Sequence, residues 1–483
     1  MTTTRTGTRA IALALSCAAQ FMVVLDIAIV NVALPSIQRD LGVSQSTLQW
    51  VVIAYGLLLG GFLLFGGRLA DLLGRRRVFL SGLGVFSAAS LMAGVAQSAG
   101  PLITARALQG FGAALVAPAA LSILAVNFPE GQERNRALGI FGAVAGISAS
   151  VGVITSGLLT DGPGWRWVFF INVPVGVLLI GLAALSLAAD RPQSRTARFD
   201  VAGATAVTGG LLVLVYALNR GADYGWTSGP TLVLFAAAAL LLAAFVRIEA
   251  RSPAPLVPGA TLRNRTLVAA NLSAFFTFSA MFSFIFVGSL LMQQVLGYSP
   301  TKTGLAWIAT SATSFVASAV AGARLVAVIG VRRLLVTGLS LLAVGVLWLT
   351  RVPADAGYIS DLLPAFLLAG IGVGLCAPSA QIGALSGVSD SASGLASGLV
   401  ETMREIGGAA GVAAVSTVLV SRTGLNGFHA AFMVISIAAA LGALTAATGF
   451  RRVDRPAEQP APDAHPEPGD EPLVPVPVPA DPH

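Results

Sequence analysis

Long runs of apolar residues, separated by short polar segments, fill most of the first 450 positions of the chain. A helix needs about 20 apolar residues to cross the hydrocarbon core of a bilayer. The pattern predicts fourteen spanning helices, at 11–34, 47–66, 78–97, 101–124, 137–160, 167–189, 200–219, 229–249, 266–291, 303–323, 333–350, 359–386, 395–420 and 428–450. An even number of spans puts both ends of the chain on the same side of the membrane.

Composition excludes a soluble protein. The 483 residues are 55% hydrophobic and only 11% charged, whereas soluble domains carry about 25% charged residues. Two cysteines and three histidines are scattered without metal-ligand spacing. We therefore expect an all-α integral membrane protein that is not an enzyme and has no metal or cofactor.

Basic residues indicate the orientation. Of the 29 lysines and arginines, 21 fall in segments on the predicted side of the N-terminus and six on the other side, while Arg106 and Arg404 lie inside spans. Because cytoplasmic loops are enriched in basic residues, we predict that both termini are cytoplasmic in the cell membrane. This excess of cytoplasmic arginines explains the net charge of +7, so a nucleic-acid partner is not required to explain it. The first apolar run is too long for a cleavable signal peptide.

The chain contains an internal repeat. GRLADLLGRRR at 67–77 matches GARLVAVIGVRR at 322–333, so that Gly74 pairs with Gly330. Gly110 pairs with Gly370 in the same way, and Leu41-Gly42 pairs with Leu296-Gly297. Parallel repeats of this kind occur in secondary transporters. The predicted domains are a six-helix bundle at 1–199, two linking helices and the start of a loop at 200–254, a second six-helix bundle at 255–451 and a disordered Pro-rich tail at 452–483.

Two ionisable residues lie inside the first bundle without a counterpart in the second. Asp26 aligns with Met281, and Arg106 aligns with Phe366. A carboxylate in a membrane span costs about 2.5–3.5 kcal/mol on insertion scales. Asp26 could carry protons or attract a cationic substrate, or it could serve packing through hydrogen bonds to a neighbour such as Asn31. Arg106 needs an acceptor, which Asp26 or a backbone carbonyl could supply, unless it extends to the outer interface.

The loop after the second span lies on the predicted inner side of the membrane and contains one acidic residue. Asp71 could pair with Arg75 or cap a neighbouring helix, although the arginines alone fit ordinary cytoplasmic anchors. The candidate residues are Gly67, Arg68, Asp71, Gly74, Arg75 and Arg76.

Three further groups have both a structural and a functional interpretation. The fifth predicted helix is rich in glycine, which suits close packing, a bend or a sliding contact. Near the inner end of the thirteenth helix, Glu401, Arg404 and Glu405 form either an interfacial ion cluster or a second proton or cation site. Three phenylalanines share one face of the ninth helix and either fill the core or line a cavity: Phe275, Phe278 and Phe282.

Together these motifs resemble the major facilitator superfamily, in particular its fourteen-helix drug:proton antiporter family (EmrB/QacA type). The resemblance covers residues 10–450. It rests on Leu25-Asp26 with VNVALP at 30–35, on 67–77, on Arg106 with Gln109, Gly110 and Gly112, and on WRWVF at 165–169 with NVP at 172–174. One departure is GVITSG at 152–157, where the family usually has Gly-Pro followed by Gly-Gly.

The resemblance implies an antiporter that exports small amphipathic drugs or antibiotics in exchange for protons. Asp26 and Arg106 are then expected to act in proton coupling, and Asp71 in gating. The antiporter-motif residues are expected to be Gly142, Gly146, Gly152 and Gly157. The cavity lining is expected to include Asn31, Tyr55, Gln109, Phe275, Phe278 and Phe282. We expect a monomer in the lipid bilayer.

Two other functions fit the same sequence. One is a proton-coupled symporter that imports a metabolite. The other is a membrane sensor or scaffold that uses the Pro-rich tail. The sequence does not distinguish a broad multidrug pump from a dedicated antibiotic exporter.

Overall fold

The computed structural model describes residues 2–188, 200–252, 257, 263–386, 388–389, 392–422 and 424–450. Within these residues the chain is helical and contains no strand. The prediction of a disordered tail at 452–483 lies outside the described residues. The limits of the four predicted domains also remain a prediction.

Seven helices form the first half of the protein. They are α1 (Thr2–Leu41), α2 (Gln45–Leu73), α3 (Arg75–Gly94), α4 (Ala99–Asn127), α5 (Gln132–Asp161), α6 (Trp167–Phe170) and α7 (Asn172–Ser186). Two helices follow, α8 (Val201–Tyr224) and α9 (Gly229–Glu249).

Seven more helices form the second half. They are α10 (Arg265–Leu290), α11 (Pro300–Ala306), α12 (Ile308–Val320), α13 (Val326–Trp348), α14 (Leu363–Leu385), α15 (Ser393–Ser421) and α16 (Leu425–Gly449). Helices α10, α12 and α14 each adjoin a π-helical turn, at Leu291–Val295, Ala321–Leu325 and Tyr358–Leu362.

A helix lies at each of the fourteen predicted positions, with two of these positions divided into shorter helices. The segment 167–189 contains α6 and α7, and the segment 303–323 contains parts of α11 and α12. Within the described part of the chain, eleven helices are long and apolar enough to be candidate spans. Helices α5, α8 and α15 are not among them, and all three pack along the contacts between the halves. The number of fourteen crossings therefore stays a prediction.

Backbone geometry confirms the internal repeat. Gly74 and its predicted counterpart Gly330 have positive φ angles of 96° and 80°, and Gly42 and Gly297 have φ angles of 61° and 65°. Only glycine adopts these conformations without strain. The same turns thus recur at matching places in the two halves.

The two halves contact each other mainly along two helix pairs, α2 with α15 and α5 with α12, and additionally through α4 with α15 and α5 with α14. Helix α8 packs against both α2 and α15. Here Leu212 and Val215 of α8 lie against glycines of α2, and Trp226, just after α8, donates a hydrogen bond to Thr417 of α15. Helix α8 therefore covers the contact between α2 and α15.

Candidate functional site

Asp26 lies in the middle of the first bundle with no exposed surface. Its Oδ2 atom is 2.5 Å from Nη1 of Arg106 on α4. Its Oδ1 atom accepts hydrogen bonds from Gln109 at 3.2 Å and from Asn172 at 2.8 Å. Two helices, α4 and α7, thus supply three donors to one carboxylate, which offsets the cost of burying it in an apolar bundle.

Arg106 is 1% exposed and its guanidinium is well satisfied. It donates to Asp26, to Gln109 Oε1 at 2.9 Å, and to the carbonyl oxygen of Val51 at 2.9 Å. The guanidinium carbon also lies 4.2 Å from the ring centroid of Tyr55, in cation–π contact. Both acceptors that the sequence suggested, the carboxylate and a backbone carbonyl, are used, and Arg106 does not extend to the outer interface.

Sequence reasoning did not assign two members of this network. Asn172 begins α7 and bonds Asp26 across 146 residues. Ser90 on α3 accepts a hydrogen bond from Gln109 at 2.7 Å. The expected partner Asn31 is part of α1, but its side chain lies outside the described residues. Asn172 could have been found by the same criterion as Asp26, because it is a polar residue within a long apolar stretch.

This arrangement makes Asp26 and Arg106 interdependent. While Asp26 is ionised, it balances the charge of Arg106 at a buried site. Protonation of Asp26 would remove that balance, because a buried guanidinium without an anionic partner is strongly unfavourable.

The second half contains a comparable ion pair on a single helix. Arg404 Nη1 lies 2.6 Å from each carboxylate oxygen of Glu401, which is 4% exposed. The Arg404 guanidinium carbon is 4.2 Å from the ring centroid of Phe278. In each half, an arginine thus pairs with a buried carboxylate and lies over an aromatic ring.

The position of this second cluster corrects the sequence prediction. Glu401 and Glu405 lie eight and twelve residues beyond Ser393, the first residue of the 29-residue helix α15. At 1.5 Å per residue, they are about 12 and 18 Å from the helix start, not near the inner end. Glu405 faces α2 beside Gly60. It receives no hydrogen bond from the part of the chain that the structure describes.

The predicted gating loop joins the two halves. Asp71, near the end of α2, accepts hydrogen bonds from the backbone N–H groups of Gly394 at 2.9 Å and Leu395 at 2.8 Å. These groups belong to the first turn of α15, so the carboxylate caps a helix of the other half. Arg75 lies 3.9 Å from Asp71. The structure thus shows both contacts that the sequence suggested for Asp71.

Small residues allow this close contact. A Cβ atom on Gly67 would clash with the backbone of Gly394. Gly74 forms the turn between α2 and α3, and Arg75 donates to Ser122 at 2.9 Å. Arg76 donates to the carbonyl oxygen of Ala184, while Arg68 is half-buried. At this end of the bundle, which we call the Asp71 end, the two halves are closed against each other.

Replacing Asp71 with asparagine is expected to open the Asp71 end. An amide offers one acceptor oxygen and no charge, so the cap on α15 loses about 1 kcal/mol, equivalent to about a fivefold shift toward separated halves. Spin labels at the exposed Arg77 and Arg333 would report the distance between the halves. The control is Asp200→Asn, because Asp200 caps α8 through Gly203 without joining the halves. Equal distance distributions in both variants would contradict a gating contact.

The glycines of α5 contact two different partners. Gly142 lies against Ser318 and Pro378 of the second half, whereas Gly152 lies against Ala28 and Leu25 of α1. A Cβ atom added to Gly157 would meet no other atom within 4 Å. The surroundings of Gly146 lie outside what the structure describes. Helix α5 is uninterrupted from Gln132 to Asp161. The geometry favours close packing on both sides of α5.

The expected lining residues divide between the two clusters. Tyr55 and Gln109 are buried beside Asp26 and Arg106. Phe278 contacts Arg404, and its ring centroid is 6.1 Å from that of Phe282, which lies against Gly408 of α15. Phe275 packs against Gly407 of the same helix. These three phenylalanines thus form the contact between α10 and α15, and their exposure to substrate stays a prediction.

Comparison with known proteins adds to this geometry. A family model described as Major Facilitator Superfamily matches residues 16–290 and 270–479. The chain is 40% identical to the puromycin resistance protein pur8 of Streptomyces alboniger, over 84% of this chain and 81% of that protein. It is 39% identical to the cephamycin export protein CmcT of Amycolatopsis lactamdurans, over 87% of each.

A solved structure has the same fold. The human organic anion transporter MFSD10 (TETRAN) superposes with a TM-score of 0.67 at 15% identity, over 91% of this chain and 99% of that one. At this identity the likeness concerns the fold alone. It supports the predicted all-α fold.

Proposed function

Because the chain belongs to the major facilitator superfamily, we propose that it is an efflux transporter that exports small amphipathic drugs or antibiotics across the cell membrane in exchange for protons. Its relatives are named for resistance and export, which supports the outward direction. The observation that carries the proton coupling is the ion pair of Asp26 and Arg106, buried between α1 and α4.

Protonation of Asp26 would drive the cycle through Arg106. When Asp26 takes up a proton from outside, Arg106 loses its anionic partner and the packing of α1 against α4 changes. When Asp26 releases the proton to the cytoplasm, the ion pair forms again. The Asp71 end, cytoplasmic in the predicted orientation, opens and closes by making and breaking the cap on α15.

The second cluster supports a role in recognising charge. Glu405 lies at the contact between the halves, next to α2, and the aromatic side chains of α10 lie close to Arg404. A carboxylate beside aromatic rings suits a positively charged amphipathic compound. A second proton at Glu405 is the other role that this placement allows.

One proton supplies enough energy for resistance. Crossing 100 mV releases about 2.3 kcal/mol, and each pH unit adds about 1.4 kcal/mol. The sum supports a substrate concentration ratio of a few hundred-fold per proton. An exporter with this coupling would lower the cytoplasmic concentration of a drug effectively.

Proteoliposomes containing the full chain and a trapped pH dye test the proposal. With puromycin among the test compounds, we expect an imposed pH gradient to drive substrate uphill, and substrate movement to drive protons in the opposite direction. Vesicles without protein are the control. Protons that move in the same direction as the substrate would identify a symporter instead. Substrate movement without any proton flux would show uncoupled transport.

A further inference from the structure

A large open cavity lies in the second half, at the end of the bundle opposite to Asp71. Its volume is about 940 Å³, and the ends of α13, α15 and α16 form its walls. The polar side chains that line it include Arg351, Arg422, His429 and Asn426. The Asp26 and Glu401 clusters contribute nothing to this cavity, so it is separate from the sites described above.

The cavity is positively charged. None of its lining residues is acidic. Among the described residues, neither Arg351 nor Arg422 has a carboxylate within ion-pair distance. His429 donates from Nε2 to the carbonyl oxygen of Val352 at 2.8 Å, which leaves Nδ1 as the other polar atom of the ring. Among the described residues, the site therefore offers two guanidinium groups that no carboxylate neutralises.

Membrane topology does not account for these arginines. Positive charge orients a membrane protein from the cytoplasmic side, whereas Arg351 and Arg422 belong to the six basic residues on the predicted outer side. Moreover, they come from two different inter-helix segments, 71 positions apart, and line the same cavity. A shared anionic ligand gives a reason for both.

An apolar stripe leads away from the cavity along α16. Met433 lines the cavity and is 42% exposed, and Ile437, Leu441 and Leu444 continue the same exposed helix face. The stripe runs eleven positions, about 16 Å at 1.5 Å per residue. Half of a bilayer's hydrocarbon core is about 15 Å thick. An acyl chain can lie along this stripe while its headgroup occupies the cavity.

We propose that this cavity binds the phosphodiester headgroup of an anionic phospholipid, with one acyl chain along the α16 stripe. Arginine forks match phosphate oxygens in geometry and charge, and Asn426 in the first turn of α16 can add a donor. A free phosphate ion would satisfy the arginines but would leave the adjoining apolar stripe unused. The bound lipid would connect the ends of α13, α15 and α16.

Lipid binding to the purified full chain in neutral detergent tests this site. The probes are dioleoyl phosphatidylglycerol and dioleoyl phosphatidylcholine, with binding measured by native mass spectrometry and by the thermal unfolding midpoint. We expect wild-type protein to retain the anionic lipid over the neutral one and to be stabilised by it. In Arg351→Gln/Arg422→Gln, retention should fall by about tenfold, as expected for the loss of one charge-assisted contact or more.

The matched control is Arg39→Gln/Lys302→Gln, which removes the same charge at the same predicted end but outside the cavity. Unfolding midpoints without lipid will show that each variant is folded. Equal loss of the anionic lipid in both double variants, or equal retention of the two lipids by wild-type protein, overturns the proposal. Stabilisation by inorganic phosphate equal to that by phosphatidylglycerol would assign the cavity to a free anion and also overturns it.

Discussion

Asp26→Asn is expected to abolish proton-coupled export while leaving the protein folded. The amide keeps the shape of the side chain and one acceptor oxygen, which can accept from either Arg106 or Asn172, but it cannot bind and release a proton. The concentration ratio that one proton supports, about a few hundred-fold under the gradients considered above, should therefore fall to near one. Substrate accumulation in inside-out vesicles with an imposed pH gradient measures this ratio.

The charge of the test compound separates the two possible roles of Asp26. Loss of export for cationic, neutral and anionic compounds alike indicates proton coupling. Loss for cations alone indicates that Asp26 recognises the substrate. Full activity of Asp26→Asn with every compound would remove the residue from the mechanism.

Asp40→Asn is the matched control for this experiment. Asp40 lies on the same helix, α1, but outside the apolar span. Hydrogen bonds from Arg166 at 2.6 Å and Trp165 at 3.0 Å hold the pKa of Asp40 below its usual range. Asp40 therefore stays ionised at physiological pH and takes no part in proton exchange. We expect Asp40→Asn to export like wild-type protein.

Much of the first site could be predicted from the sequence because charge within an apolar span is conspicuous. Asp26 and Arg106 were recognisable by their insertion cost alone, and the need of a buried guanidinium for an acceptor suggested their contact. Asp71 was recognisable because acidic residues do not contribute to topology. In each case the sequence predicted the residue and the chemical type of its partner.

Partners at long sequence separation could not be predicted in the same way. Asn172 is 146 positions from Asp26, and Gly394 is 323 positions from Asp71. Which helices become neighbours depends on packing over the whole bundle, and apolar patterns alone do not encode it. The repeat supplied part of this information, because matching glycines predicted matching turns. It said nothing of α8 and α9, which have no counterpart.

The second cluster shows a different limit of sequence reasoning. Glu401 and Arg404 were recognised as a pair because residues three positions apart are neighbours on the surface of a helix. Their depth was misjudged because the first turn of α15 is capped by Asp71 and lies inside the contact between the halves. Hydropathy predicts which segment crosses the membrane, but it contains no information about which part of that helix contacts the other half.

Arg106→Leu should be among the most destabilising single substitutions in the protein. Removing the guanidinium leaves Asp26 ionised and buried without its cation, and breaking a buried ion pair in this way costs about 3–5 kcal/mol. The same substitution in an Asp26→Asn background should cost much less, because the remaining amide is neutral. Unfolding of the four proteins in detergent gives the coupling energy of the pair. If the two costs are equal, Asp26 and Arg106 act independently, and proton binding at Asp26 cannot control the conformation through Arg106. If they differ by several kcal/mol, the energy for rearranging α1 against α4 is available each time Asp26 gains or loses a proton.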